Sequence, residues 1–344
     1  MNKRFSTLVT LAITALGLTQ AQPASSLRAL AEARGLLIGA AVDPGVLFDT
    51  FEPDYAKVLF ENFSIITPEN ATKFSSLSGA RDQYGFTGAD SLIGFMAKKN
   101  IKVRGHTLIW HEQLPNWLLK DLAAKAPSRE EMLELMDDHV RTVTGHFAGK
   151  LAYWDVVNEA ITEAGTMRDT PWSKAIGRDY IARAFKLARA SDLKVKLCYN
   201  DFNTDGLNPK STGVYNMVKE LKAQNVPIDC VGFQAHLDST FDVNAARVKE
   251  NLERFVALGV EVHFTEVDVQ LKGPGTKAER LEAQAKVYGD LLRTCLSVKG
   301  CTNFVIWGFT DAHSWRSGSK PLIFDSGYEP KPAYKALLKE LATR

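Results

Sequence analysis

Two glutamates carry the most chemical promise in this chain. Glu159 ends the run LAYWDVVNEA (151–160), and Glu266 sits in HFTEVDV (263–269). Each stands at or near the end of an apolar stretch that reads as a buried strand. One glutamate after a strand is usually only its first solvated residue; two in matching positions ask for another explanation. Paired carboxylates are what glycosidic bond cleavage requires. One protonates the departing oxygen, while the other attacks the sugar or activates water.

The surrounding residue types agree. Trp110 and Trp117 lie in RGHTLIWHEQLPNWL (104–118), and Trp307 and Trp315 in WGFTDAHSWR (307–316). Sugar rings present apolar C–H faces, so tryptophan beside hydrogen-bonding residues suits carbohydrate. His106, His111, His236, His263 and His313 raise the question of a metal, but no CxxC or HExxH spacing is present. No metal or other cofactor is expected. His236 reads instead as a partner that keeps a carboxylate ionised, with Asp268 supporting it. No serine sits in a GxSxG elbow, which leaves a serine-hydrolase reading without support.

These groups need elements to position them. Short apolar runs at 35–41, 63–67, 102–107, 152–157, 194–199, 230–235, 261–267 and 302–307 read as strands. Amphipathic stretches such as 129–147, 173–190, 211–224, 245–258 and 276–298 read as helices, and Ser128 followed by Glu130 and Glu131 is a start signal. Eight strands alternating with helices predict α/β architecture with a parallel sheet, and eight is the number that closes a (β/α)8 TIM barrel. Polar and aromatic residues gather just after the strands: Glu69-Asn70, His106, Asn158-Glu159, Tyr199-Asn200-Asp201, Gln234, His236, Glu266, Asp268 and Trp307. In a barrel those ends share the C-terminal face, where active sites are built. No Pro/Ser/Thr-rich or Gly-rich linker divides the chain, so one domain is expected over residues 22–344.

Composition excludes other classes. Lys plus Arg number 42 against 40 Asp plus Glu, a net charge of +2. That balance leaves no footprint for a nucleic-acid or anionic-membrane partner. At the N-terminus, Lys3 and Arg4 precede the apolar stretch 8–18 and then Thr19-Gln20-Ala21, the pattern of a signal peptide over residues 1–21 with cleavage near Ala21. The apolar stretch is too short to span a membrane. A secreted or periplasmic protein is therefore expected, acting as a monomer. Four cysteines fit an oxidising compartment. Cys295 and Cys301 flank a short helix-to-strand connection, and Cys198 and Cys230 fall on neighbouring candidate strands. Four cysteines admit three pairings, and spacing alone leaves the choice open.

TPENATK (67–73), RGHTLIWHEQLPNW (104–117), WDVVNEA (154–160), LCYNDFN (197–203), GFQAHL (232–237), HFTEVD (263–268) and VIWGFTDAHSWR (305–316) resemble, in order, the motif series of glycoside hydrolase family 10, the endo-β-1,4-xylanases. The likeness runs from about residue 26 to about residue 340. It implies a retaining mechanism on xylan or xylo-oligosaccharides, with Glu159 as acid and then base and Glu266 as nucleophile. Glu69, Asn70, Lys73, His106, Trp110, Gln113, Asn158, Gln234, Trp307 and Trp315 match the family's sugar-contacting positions. His236 matches the residue that hydrogen-bonds the nucleophile, and Tyr199 and Asn200 match leaving-group-side contacts. The cysteines match positions where the family often has two disulfides, Cys198–Cys230 and Cys295–Cys301. Thr72 and Phe74 depart from the Met and Trp that the family commonly carries, and Val267 from a common Leu. A related barrel enzyme acting on another β-glycan, such as a cellulose-type glucan, is the alternative reading.

Overall fold

The computed structural model describes residues 26–343, so the expected leader at 1–21 lies outside the described residues. The strands are β1 (Leu37–Val42), β2 (Ile65–Pro68), β3 (Lys102–Gly105), β4 (Tyr153–Asn158), β5 (Lys196–Asp201), β6 (Cys230–Phe233), β7 (His236–Asp238), β8 (Glu261–Gln270) and β9 (Cys301–Ile306). Each pairs with the next in parallel from β1 to β6. β6 pairs with β8 through Cys230↔Glu261, and β8 pairs with β9. The ring then closes where β9 returns to β1 through Leu37↔Asn303 and Ala40↔Ile306. β7 resumes the line of β6 after a turn at Ala235 (φ 59°) and pairs with β8 through His236↔Asp268. The result is the expected eight-staved (β/α)8 barrel.

The strands are apolar because both their faces are covered. β4 is buried at every position from Tyr153 to Asn158. Outside the sheet, Leu59, Met96, Val140, Phe185, Leu252 and Leu291 join one continuous core against the helices. Inside, Ile65, Tyr153 and Val305 pack around the Cys198–Cys230 disulfide, which links facing residues of β5 and β6. Cys295–Cys301 is also a disulfide. His263 lies beside the first pair, but both its sulfurs are in that bond and offer no thiolate. Further along the barrel the interior turns ionic. Arg104 pairs with Asp155, and His106 Nδ1 lies 3.0 Å from the same carboxylate. Arg104 Nη1 also donates to His263 Nδ1 at 3.0 Å, and burial pushes that imidazole down to about 4, leaving it a neutral acceptor.

The helices start where their caps are. Ser128 and Glu131 form a capping box before Arg129–His146, and Thr276 and Glu279 one before Lys277–Leu296. One expectation fails. The stretch 173–190 is two helices, Pro171–Ile176 and Tyr180–Ser191, separated at Gly177. Its φ of 90° ends the first helix in a conformation open to glycine and closed to residues with a β-carbon.

Candidate active site

β4 delivers its last residues to the barrel mouth. After Asn158 the backbone turns at Glu159 with φ 58°, and the Glu159 N–H donates to the Asn200 carbonyl at 2.9 Å. Its carboxyl is held from two sides. Trp110 Nε1 donates to Oε2 at 2.8 Å, and Gln234 Nε2 donates to Oε1 at 2.9 Å. Both donors are neutral.

Glu266 projects from the middle of β8 into different surroundings. Asn200 Nδ2 donates to its Oε1 at 2.7 Å, and His236 Nε2 lies 3.2 Å from its Oε2. The other ring nitrogen of His236 lies 2.9 Å from Asp268 Oδ2. Burial alone would depress the imidazole, but hydrogen bonds to Asp268 and Glu266 outweigh it and lift His236 to about 9. His236 is therefore charged at neutral pH and donates from both nitrogens. Burial pushes the Glu266 carboxyl up, yet the His236 bond, the nearby His106 and His236 rings and the Asn200 amide together hold it below the usual carboxylate range.

Asn200 fixes its own orientation. Thr265 Oγ1 donates to its Oδ1 at 2.7 Å, which turns its NH2 toward Asn158 Oδ1 (2.9 Å) and Glu266. A β-carbon at residue 232 would lie 2.2 Å from Asn200 Oδ1, so Gly232 makes room for that amide. Asn158 accepts through its oxygen, which leaves its buried Nδ2 with no protein partner. An orphaned buried donor at the cleft is a position for a ligand oxygen.

The far wall is polar. Lys73 Nζ donates to Gln113 Oε1 at 2.5 Å and to Asn70 Oδ1 at 3.1 Å, and lies 5.2 Å from the Trp110 ring centroid. Burial pushes Lys73 down and Glu69 up from their ordinary values. Trp307 is 7% exposed, whereas Trp315 is 54% exposed and is tethered through its indole N–H to Asp268 Oδ2 at 2.8 Å.

These groups line one cleft of about 660 Å³. It gathers Glu69, Asn70, Lys73, His106, Trp110, Gln113, Asn158, Glu159, Gln234, His236, Glu266, Trp307 and Trp315, all expected from the sequence. Tyr199 and Asn200, expected as contacts with a leaving group, are fully buried and do not line it. Successive residues of β5 point to opposite faces, so Tyr199 turns away, while Asn200 faces inward and is covered by Asn158 and Glu266. Tyr199 supports the turn after Glu159 by accepting the Ala160 N–H at 2.9 Å, and Asn200 lies beneath Glu266. Glu112, Phe202, Asn203 and Arg316 line the cleft without having been singled out. All four lie within or at the end of quoted motifs, so adjacency to the expected residues was the available signal.

The model of glycosyl hydrolase family 10 matches residues 26–340. The chain belongs to this family. It is 40% identical over 316 residues to endo-1,4-beta-xylanase B of Thermotoga neapolitana, covering 90% of both chains. It superposes with TM-score 0.88 and 40% identity on xylanase 10B of Thermotoga petrophila RKU-1 in complex with xylobiose, covering 92% of this chain and 97% of the other. It is also 37% identical over 310 residues to exoglucanase XynX of Acetivibrio thermocellus, covering 87% of this chain and 28% of that one. Two departures of this family 10 chain have structural roles. Thr72 Oγ1 donates to the His106 carbonyl at 2.7 Å and accepts the His106 N–H at 3.1 Å. Phe74 stacks on His139 with ring centroids 3.7 Å apart.

Proposed function

We propose that the protein is an endo-1,4-β-xylanase that cuts internal bonds of xylan by double displacement with retention of configuration. The observation that carries the reading is one cleft holding two buried carboxyls in unlike surroundings. Glu266 faces a charged imidazole and an amide donor, and the Glu159 carboxyl accepts its hydrogen bonds from the neutral Trp110 and Gln234. A nucleophile must be ionised and an acid must be able to hold its proton, so unlike environments suit unlike roles. In the first step Glu266 attacks the anomeric carbon while Glu159 passes its proton to the departing oxygen. The ester so formed neutralises Glu266. Glu159, now a carboxylate, takes a proton from water as that water displaces Glu266. The unpartnered Asn158 Nδ2 is a donor for the sugar 2-hydroxyl, a contact that strengthens in the transition state. The choice of xylan rests on the printed names of the relatives and on the xylobiose complex of one of them.

Hydrolysis of soluble xylan by wild type, Glu159→Gln and Glu266→Gln tests the roles. Each variant should lose about a hundredfold or more in rate, and full activity in either refutes its assignment. NMR of the first product should show the β-anomer; the α-anomer would overturn retention. The exoglucanase relative favours a second reading, action on cellulose-type glucan. A larger kcat/KM on cello- than on xylo-oligosaccharides would make that reading primary. Export with removal of residues 1–21 is part of the proposal, supported by the N-terminal pattern and the two disulfides. A secreted protein beginning at Gln22 is the expected mass-spectrometric result.

A further inference from the structure

Glu159 has a backbone conformation that a β-carbon disfavours, with φ in the left-handed region. Such a residue stays in place only where its surroundings hold it. Three hydrogen bonds do so: its N–H to the Asn200 carbonyl, the following Ala160 N–H to Tyr199 Oη, and Arg168 Nε to its own carbonyl at 2.9 Å. Arg168 has a wider grip. Its Nη2 donates to the Ile161 carbonyl at 3.2 Å, and its backbone N–H to the Ala160 carbonyl at 2.7 Å.

Arg168 is itself anchored. It follows a small hairpin in which Ile161 bridges Met167 and the chain reverses at Gly165, φ 80°. The tip lies against the helix Pro209–Ala223. A β-carbon on Gly165 would come within 2.5 Å of the Pro209 carbonyl oxygen, and one on Gly213 within 2.3 Å of the Gly165 oxygen. The Glu163–Lys210 ion pair at 3.1 Å adds a second tie, and Ser173 Oγ donates to the Arg168 carbonyl at 2.7 Å.

We propose that Arg168 is a positioning residue that fixes the turn aiming the Glu159 carboxyl at the departing oxygen. The inference rests on the reading of Glu159 as proton donor. The planar guanidinium fork spans two carbonyls in a fixed geometry, which a single ammonium does not reproduce. Arg168 acts through Glu159, so its loss should be felt only where the proton is needed.

The leaving group provides that test. 2,4-Dinitrophenolate departs as a stable anion without a proton, whereas unactivated phenol requires one as the C–O bond breaks. kcat/KM on aryl β-xylobiosides reports this first step. Arg168→Met should lower kcat/KM about a hundredfold on the phenyl substrate and less than about threefold on the dinitrophenyl one. Arg168→Lys should fall between wild type and Arg168→Met on the phenyl substrate, and it carries the test should Arg168→Met fail to fold. The double variant Glu159→Ala/Arg168→Met should be no slower on the phenyl substrate than Glu159→Ala alone. Equal losses on both substrates, no loss on either, or full additivity in the double variant would overturn the proposal. A Glu159→Ala variant that did not discriminate between the substrates would refute the acid role itself. Discrimination by Glu159→Ala without discrimination by Arg168→Met or Arg168→Lys would refute only the role of Arg168.

Discussion

Raising the pH should remove folding stability through one residue, His236. Its ring lies between Glu266 and Asp268, and against the opposing effect of burial these partners lift it to about 9. In the unfolded chain the same imidazole titrates near its ordinary value of about 6.5. The folded protein therefore binds an extra proton between those values. Where the folded state binds more protons, stability falls as pH rises. A displacement of about 2.5 units at about 1.4 kcal/mol per unit gives about 3.5 kcal/mol. This contribution is fully present below about pH 6.5 and lost as pH rises through about 9. Guanidinium denaturation of wild type and His236→Asn at about pH 6, 7.5 and 9.5 measures it. Tyrosines and lysines titrate in both proteins, so the difference between their pH profiles isolates His236. Wild type should lose about 3 kcal/mol more than the variant over that range. Parallel profiles, or a native His236 resonance titrating near 6.5, would refute the claim that the two carboxylates hold its proton.

Trp110→Phe keeps the ring but removes the donor to Glu159, and should lower kcat/KM on xylan about tenfold or more; unchanged activity would show that the indole N–H is dispensable. Phe74→Ala should cost about 3–5 kcal/mol by denaturant unfolding, because Phe74 is buried against His139. Replacing Cys198 and Cys230 together by Ala should cost about 4 kcal/mol, against about 2 for Cys295 and Cys301, because the first bond closes a longer loop. The sequence separations are 32 and 6, and a reversed order of stability would contradict the loop-closure argument.

Much of this architecture is legible because a closed parallel barrel makes each strand an apolar run with polar residues at its end. Glu159 and Glu266 stand out for that reason, and His236 can be read as a carboxylate partner from type and place alone. What the sequence hides follows from geometry beyond residue type. Tyr199 and Asn200 are polar residues at a strand end, but Tyr199 points to the face opposite Asn200, and the Asn200 amide is covered by Asn158 and Glu266. Gly177 sits inside an amphipathic pattern, and a lone glycine there does not announce a break. Arg168 leaves the faintest trace, since its partners are backbone carbonyls of Glu159 and Ile161, which every residue possesses.

Gly232 makes the same point for anyone redesigning the cleft. It does not line the cleft and offers no functional group, yet a single methyl there would meet the Asn200 oxygen at 2.2 Å and drive the amide from Glu266. A mutational library restricted to side chains that face the substrate would never sample it, and one that did would report an inactive enzyme with an untouched cleft. The catalytic specification of this barrel therefore includes a residue whose contribution is its small size.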